Sequence, residues 1–262
     1  MFTLSCASAW VPGTSCEKIK AAGKLGFKAI EILKPFDTSP AEIAETIQST
    51  GVAISAINVD SADEKTREML AWTHGLVWSD TVDYYKRAVE ETLENARKIG
   101  TKIVVTTAGN ERFDVPRQVQ HDNTVKALQA VAGMFESAGV TLVLEPLNVI
   151  VNHKGHYLVL SKEGFEMVNE VGSKSVKLLY DVYHQQISEG NLIDTITANI
   201  GLIGHIHLGD VPGRAEPGTG EINYPNVFKA IAQTGYSGYA ALECKRTVDA
   251  ETATKRVFAM LP

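Results

Sequence analysis

Only three cysteines occur in 262 residues, Cys6, Cys16 and Cys244, and no two of them form a CxxC pair. An odd, scattered set argues against a disulfide framework, so a cytoplasmic protein is expected. No apolar run approaches a membrane span, and Met1–Trp10 lacks the cationic start and long apolar stretch of a secretory leader. Excess positive charge is missing too. The net charge is −6, whereas nucleic-acid binding calls for a concentrated cationic face. Neither a membrane nor a nucleic-acid partner is therefore expected. After the first apolar run, CASAWVPG supplies no GxGxxG, so the phosphate loop of an open doubly wound sheet is absent.

What is present is an alternation. With 44% apolar and 21% charged residues the chain can bury a sizeable core. Strands are read at Thr3–Ala7, Lys28–Leu33, Val52–Asn58, Lys102–Thr106, Thr141–Pro146, Val176–Val182, Ile203–Leu208 and Gly238–Cys244. Between and after them, helical spacing covers Ser15–Leu25, Ser39–Gln48, Thr81–Ile99, Thr124–Ala138, Ser161–Glu170, Ile193–Asn199, Tyr224–Gln233 and Asp249–Ala259. Ser39 is the expected N-cap of the second helix, with Pro40 at N1. Eight strand–helix units need a parallel sheet, and this length matches a closed barrel. The expected fold is α/β, a single (β/α)8 TIM barrel forming one domain over residues 1–262.

In such a barrel, chemistry sits where strands end. From the fifth strand onward those positions are Glu145, Asp181, His207 and Glu243. Any one of them alone would be a helix cap or a solvated loop charge. Four in succession point to a metal site of three carboxylates and one imidazole, a hard donor set suited to Mn²⁺ or Mg²⁺ and compatible with Co²⁺ or Zn²⁺. A substrate with a hydroxyl beside a carbonyl is the natural partner of that ion, since removing the proton between the two oxygens creates an enediolate. Glu145 and Glu243, from separated strands, are the candidate proton-transfer pair.

At this point the motifs resemble a known family. LEPLN (Leu144–Asn148), YDVYHQ (Tyr180–Gln185), HIHLGDVPGRAEPGTGEINYP (His205–Pro225) and GYSGYAALE (Gly235–Glu243) are similar to the xylose-isomerase-like TIM barrels, and within them to the hydroxypyruvate isomerase group. The resemblance implies a divalent metal on Glu145, Asp181, His207 and Glu243, and proton transfer by Glu145 and Glu243. It also implies substrate contact by His184 and Arg214, with hydroxypyruvate and tartronate semialdehyde as the interconverted pair. There is one departure. Members of that group often carry Gln at the place of His207, whereas ketose 3-epimerases (tagatose/allulose type) carry His; those epimerases in turn place a Glu soon after LEPLN, where this chain has Val151. A ketose 3-epimerase is the runner-up, and a non-catalytic sugar-binding barrel is the rival from another class. Barrel endonucleases acting on abasic DNA need extra metal ligands, and the loops KPFDTSP, NVDSAD and TTAGNER offer no histidine for them.

The remaining candidates divide between site and scaffold. Of His153 and His156, in the loop after strand five, His156 is favoured as a substrate contact. His205 is expected to turn away from the metal as a structural histidine at the barrel–helix interface. Arg214, in a Pro- and Gly-rich loop, suits a carboxylate or hydroxyl clamp, with Asp210 or Glu216 as ion-pair partners. Glu221 is read as a cap or partner within that loop. At least two of Trp10, Trp72 and Trp78 are expected in the core, Cys6 as a small buried side chain, and Lys245 and Arg246 on the surface. The expected partner is a small hydroxy-carbonyl or sugar substrate. No stretch marks an oligomer interface, though homo-oligomers are common among such barrels.

Overall fold

The computed structural model covers residues Met1–Pro262. Its strands are β1 (Thr3–Ala7), β2 (Ala29–Ile32), β3 (Ala53–Asn58), β4 (Ile103–Thr106), β5 (Thr141–Leu144), β6 (Val176–Asp181), β7 (Ile203–Leu208) and β8 (Tyr239–Leu242). They close in sequence order, all parallel, with β1 paired to β8 through Thr3–Tyr239 and Cys6–Leu242. The (β/α)8 barrel read from the alternation is the fold. The helices are α1 (Ser15–Lys24), α2 (Pro40–Thr50), α3 (Glu64–Leu70), α4 (Val82–Ile99), α5 (Arg117–Ala138), α6 (Ser161–Val171), α7 (Val182–Ser188), α8 (Leu192–Asn199), α9 (Tyr224–Gln233) and α10 (Ala250–Phe258). None is long and apolar enough to cross a membrane.

Strand alternation divides the core. Leu142, Leu144, Leu178, Ile206 and Leu208 join the helices in one cluster of 54 buried residues. Val105, Val143 and Leu179, one residue out of phase with them, belong to a separate cluster of five inside the barrel. Each buried aliphatic side chain contributes about 1.5–3 kcal/mol, so the outer layer supplies most of the stabilisation. The small inner layer leaves room for polar side chains on the axis.

Helix starts follow local chemistry. Thr14 and Glu17 form a reciprocal capping box at α1, and Asp63, Asp181, Asn223 and Asp249 cap α3, α7, α9 and α10. At α2 the first helical residue is Pro40 as expected, but the Ser39 side chain makes no capping bond. Helix α5 begins at Arg117 rather than Thr124: its first two turns are polar and carry no one-sided apolar pattern to signal them.

Candidate active site

The rim is built by the inner-facing period of four adjacent strands. Val143 and Leu179 face the barrel axis, so Glu145 and Asp181, two residues on, face it as well. His207 pairs in register with Asp181 on one side and Ala241 on the other, and Glu243 lies two residues beyond Ala241 on the same face. One ligand atom from each of Glu145, Asp181, His207 and Glu243 lies within 4.8 Å of the other three. His207 Nδ1 is 3.3 Å from Glu145 Oε1 and 3.2 Å from Glu243 Oε2. Neither contact has hydrogen-bond direction, and both Nδ1 and Glu145 Oε1 are buried without a partner. A cation bound between them would satisfy both of these unpaired buried atoms. The three carboxylates and one imidazole therefore fit a divalent ion.

Electrostatics show how the carboxylates are balanced within the protein. Burial pushes the Glu145 carboxyl up to about 7, opposed by His207 and aided by the charges of Glu243 and Asp181. Burial also works to raise Asp181, but His184, Arg214 and His207 hold it below its ordinary range. At Glu243 the same penalty is overcome by His207 and Arg214. Burial disfavours charge on His207, yet Glu31, Glu243 and Glu145 raise it well above the usual imidazole value. Positive charge is thus drawn to the point where the three carboxylates meet.

Arg214 is held at the edge of this cluster. Its Nη2 lies 2.5 Å from Glu243 Oε2 and 3.4 Å from Asp181 Oδ2, and its Nε donates to the Glu243 carbonyl at 3.2 Å. These replace the expected partners. Asp210 is fully occupied as a loop anchor, accepting backbone N–H groups from Val211, Gly218, Thr219, Gly220 and Ile222 at 2.8–3.1 Å. Glu216 accepts from Thr247 N and Oγ1 at 2.8 and 2.6 Å. The anchoring is tight: a Cβ on Gly220 would sit 2.0 Å from the Val211 carbonyl oxygen. Arg214 itself adopts φ +54°, a conformation the loop imposes. Glu221 pairs outside the loop, accepting from Gln186 Nε2 on α7 at 3.2 Å.

His184 stands behind Asp181. The Asp181 side chain that caps α7 accepts from His184 N at 3.0 Å, and its other oxygen lies 3.5 Å from His184 Nε2. Asn148, from the LEPLN motif, donates to His184 Nδ1 from its backbone N at 3.2 Å and its Nδ2 at 2.6 Å. Burial lowers this imidazole to about 4, so it is neutral near pH 7. With Nδ1 accepting, the proton resides on Nε2, which has no hydrogen-bond partner and is aimed at the ligand cluster.

A cavity of about 240 Å³ opens over these residues. Glu145, His207, Arg214 and Glu243 line one side, and Leu33, Val59, Leu70, Trp72 and Leu76 line the other. His153, not His156, is on its wall, with its ring centroid 4.4 Å from that of Trp72. His156 is 1% exposed; its backbone N bonds to the His153 carbonyl and its residue bridges to Asn110, which turns the ring inward. Burial lowers it to about 3. Trp10 is buried and donates to Thr254, Trp78 packs against the core beneath Arg112, and Cys6 is fully buried. Neither Lys245 nor Arg246 lines the cavity.

Two readings change inside the barrel. His205 does not turn toward the helices. Residues i and i+2 of a strand share a face, so His205 lies on the axis beneath His207, with ring centroids 5.1 Å apart. The residue that sequence reasoning missed is Glu31 of β2, fully buried, whose Oε2 accepts from His205 Nε2 at 2.9 Å and His207 Nε2 at 3.0 Å. Burial acts to raise Glu31, but these two imidazoles hold it far below the ordinary carboxylate range. The available signal was a lone carboxylate inside KAIEIL, since a parallel strand buried on both faces is otherwise continuously apolar.

Comparison with known proteins places the chain among relatives. Residues 19–262 match the family described as xylose isomerase-like TIM barrel. Hydroxypyruvate isomerase of Escherichia coli is 28% identical over 239 residues, 91% of this chain and 90% of that protein. The 2-oxo-tetronate isomerase of Cupriavidus necator is 30% identical over 228 residues, 87% of this chain and 85% of its own length. A crystal structure titled AP endonuclease, family 2, from Brucella melitensis superposes with a TM-score of 0.88 and 22% identity, covering 100% of both chains. That last likeness is one of fold.

Proposed function

The chain belongs to the xylose isomerase-like TIM barrel family, and from that premise we propose that it is a cytoplasmic, single-domain, metal-dependent isomerase. It interconverts a small α-hydroxy-carbonyl compound through a cis-enediolate, with hydroxypyruvate and tartronate semialdehyde as the first-choice pair. The observation that carries this reading is the convergence of Glu145, Asp181, His207 and Glu243 with His207 Nδ1 and Glu145 Oε1 left unbonded.

Those four residues would hold the divalent ion, Mn²⁺ or Mg²⁺ by donor hardness. When bound, the cation polarises adjacent carbonyl and hydroxyl oxygens and so lowers the cost of removing the proton between them. Glu145 and Glu243 act on that proton: one takes it from the hydroxymethyl carbon of hydroxypyruvate and the other returns a proton to the carbonyl carbon. The hydroxyl proton passes to the former carbonyl oxygen, so the product is an isomer with nothing gained or lost. Arg214, whose Nε and Nη2 are held by Glu243 and Asp181, lines the cavity and sets its positive charge toward the substrate carboxylate. His184, expected from the sequence to touch substrate, is fully buried and off the cavity wall, and its Nε2–H faces Asp181 Oδ2 at 3.5 Å, so its part is to orient that carboxylate.

A ketose 3-epimerase would use the same two glutamates. The cavity volume favours keeping this second reading, since about 240 Å³ has room for more than three carbons. Proton NMR of the purified protein with Mg²⁺ in D₂O, offered hydroxypyruvate and a ketose panel, tests both. Deuterium entering beside one substrate's carbonyl, and lost in Glu145→Gln and Glu243→Gln, supports the proposal and names the substrate. No exchange into any of them, with metal bound and the fold intact, puts the non-catalytic sugar-binding barrel first.

A further inference from the structure

A carboxylate inside a parallel barrel needs a reason. Glu31 is 0% exposed, and its strand neighbours Ala29, Ile30 and Ile32 are buried apolar residues. An isolated ionised group there is costly and persists only when paired. Its partners come from the far side of the barrel. Oε2 receives both His205 Nε2 and His207 Nε2, so Glu31 on β2 spans the axis to β7. Neither histidine's Nδ1 has a hydrogen-bond partner, and Glu31 Oε1 has none either.

The consequence for His207 follows from its two nitrogens. A carboxylate accepts, so the Nε2 that faces Glu31 carries a hydrogen. Nδ1 is then the atom left to face Glu145 and Glu243, at 3.3 and 3.2 Å. Without Glu31, nothing would hold the ring's hydrogen on Nε2, and it could reside on Nδ1, the atom that faces the cluster. We propose that Glu31 is a positioning residue: it keeps the hydrogen of His207 on Nε2 and so presents Nδ1 to the metal cluster, with His205 as the second donor that centres the carboxylate between the two rings. Carboxylates behind ligating histidines fix ring orientation and donor basicity in this way. The inference rests on the metal reading of the rim. It adds that the ligand half of the barrel depends on a side chain from the opposite half.

The test uses the full chain and Mn²⁺ alone, with affinity read by calorimetry for wild type, Glu31→Gln and Glu31→Leu. Leucine removes the acceptor, and Mn²⁺ affinity is expected to fall about 10- to 100-fold. Glutamine keeps one carbonyl oxygen and the volume, so it should fold like wild type and lose less. A second readout is specific to the nitrogen: ¹⁵N-histidine spectra of ¹¹³Cd²⁺-loaded wild type should show cadmium coupling to His207 Nδ1 and a hydrogen on Nε2. Coupling to Nε2, or Glu31→Leu protein that is folded and binds Mn²⁺ as tightly as wild type, overturns the role of Glu31 while leaving the metal site standing. Wild type that binds neither ion overturns the metal reading itself, and the role of Glu31 with it.

Discussion

The two halves of the barrel mouth are built from different chemistry. From β5 to β8 each strand ends in a charged or imidazole side chain, and Glu145, Asp181, His207 and Glu243 converge within 4.8 Å. The wall that follows β2, β3 and β4, with the segment after β3, carries Leu33, Val59, Leu70, Trp72 and Leu76 beside the uncharged polar Asn58, Thr106 and Thr107, and no carboxylate or imidazole. One half carries the cluster fit to hold a cation, with Glu31 of β2 bonded behind it; the cavity wall of the other half bears on the size and surface of what fits. Reactivity and substrate choice are therefore separable on this scaffold, and substitutions should sort by half.

The sharpest break would come from the ion. Treatment with a chelator should abolish turnover, and Mn²⁺ should restore it; at 100 times its Kd the ion should also add about 2.7 kcal/mol of stability, read as a rise in Tm. Turnover that survives exhaustive chelation would dissolve the distinction between the halves. Next in size, Glu145→Gln or Glu243→Gln should cut kcat by about 10²–10⁴-fold with far-UV circular dichroism unchanged. Arg214→Leu should cost about 1.5–3 kcal/mol in kcat/KM, mostly through KM, since it removes a charged hydrogen-bond donor to substrate. On the apolar half, Trp72→Ala should shift KM by roughly 1 kcal/mol or less and leave kcat near wild type. A kcat loss at Trp72 matching that of the glutamates would show that the apolar wall takes part in the chemistry.

The ligand half was legible because its signal is local. A strand-terminal residue two positions beyond an inward valine or leucine must face the axis, so LVLEP and LLYD disclose Glu145 and Asp181 without any long-range information. The apolar half was not legible in the same way. Trp72 reaches the cavity only because α3, Glu64–Leu70, folds the long segment after β3 back over the mouth, and nothing in its spacing fixes that path. His153 rather than His156 reaches the cavity wall, in a turn where His153 adopts φ +46°. Glu31 was hidden for a different reason. KAIEIL marks it as a lone carboxylate in a buried strand, but its partners lie across the barrel on β7, and no local spacing names them.

The most direct test of the central claim is anomalous scattering from a crystal grown with Mn²⁺. One manganese peak is expected, enclosed by Glu145, Asp181, Glu243 and His207 Nδ1, with His207 Nε2 still bonded to Glu31. A peak seated instead among Glu31, His205 and His207 Nε2, the other buried group able to hold an ion, or no peak in either place, would contradict it.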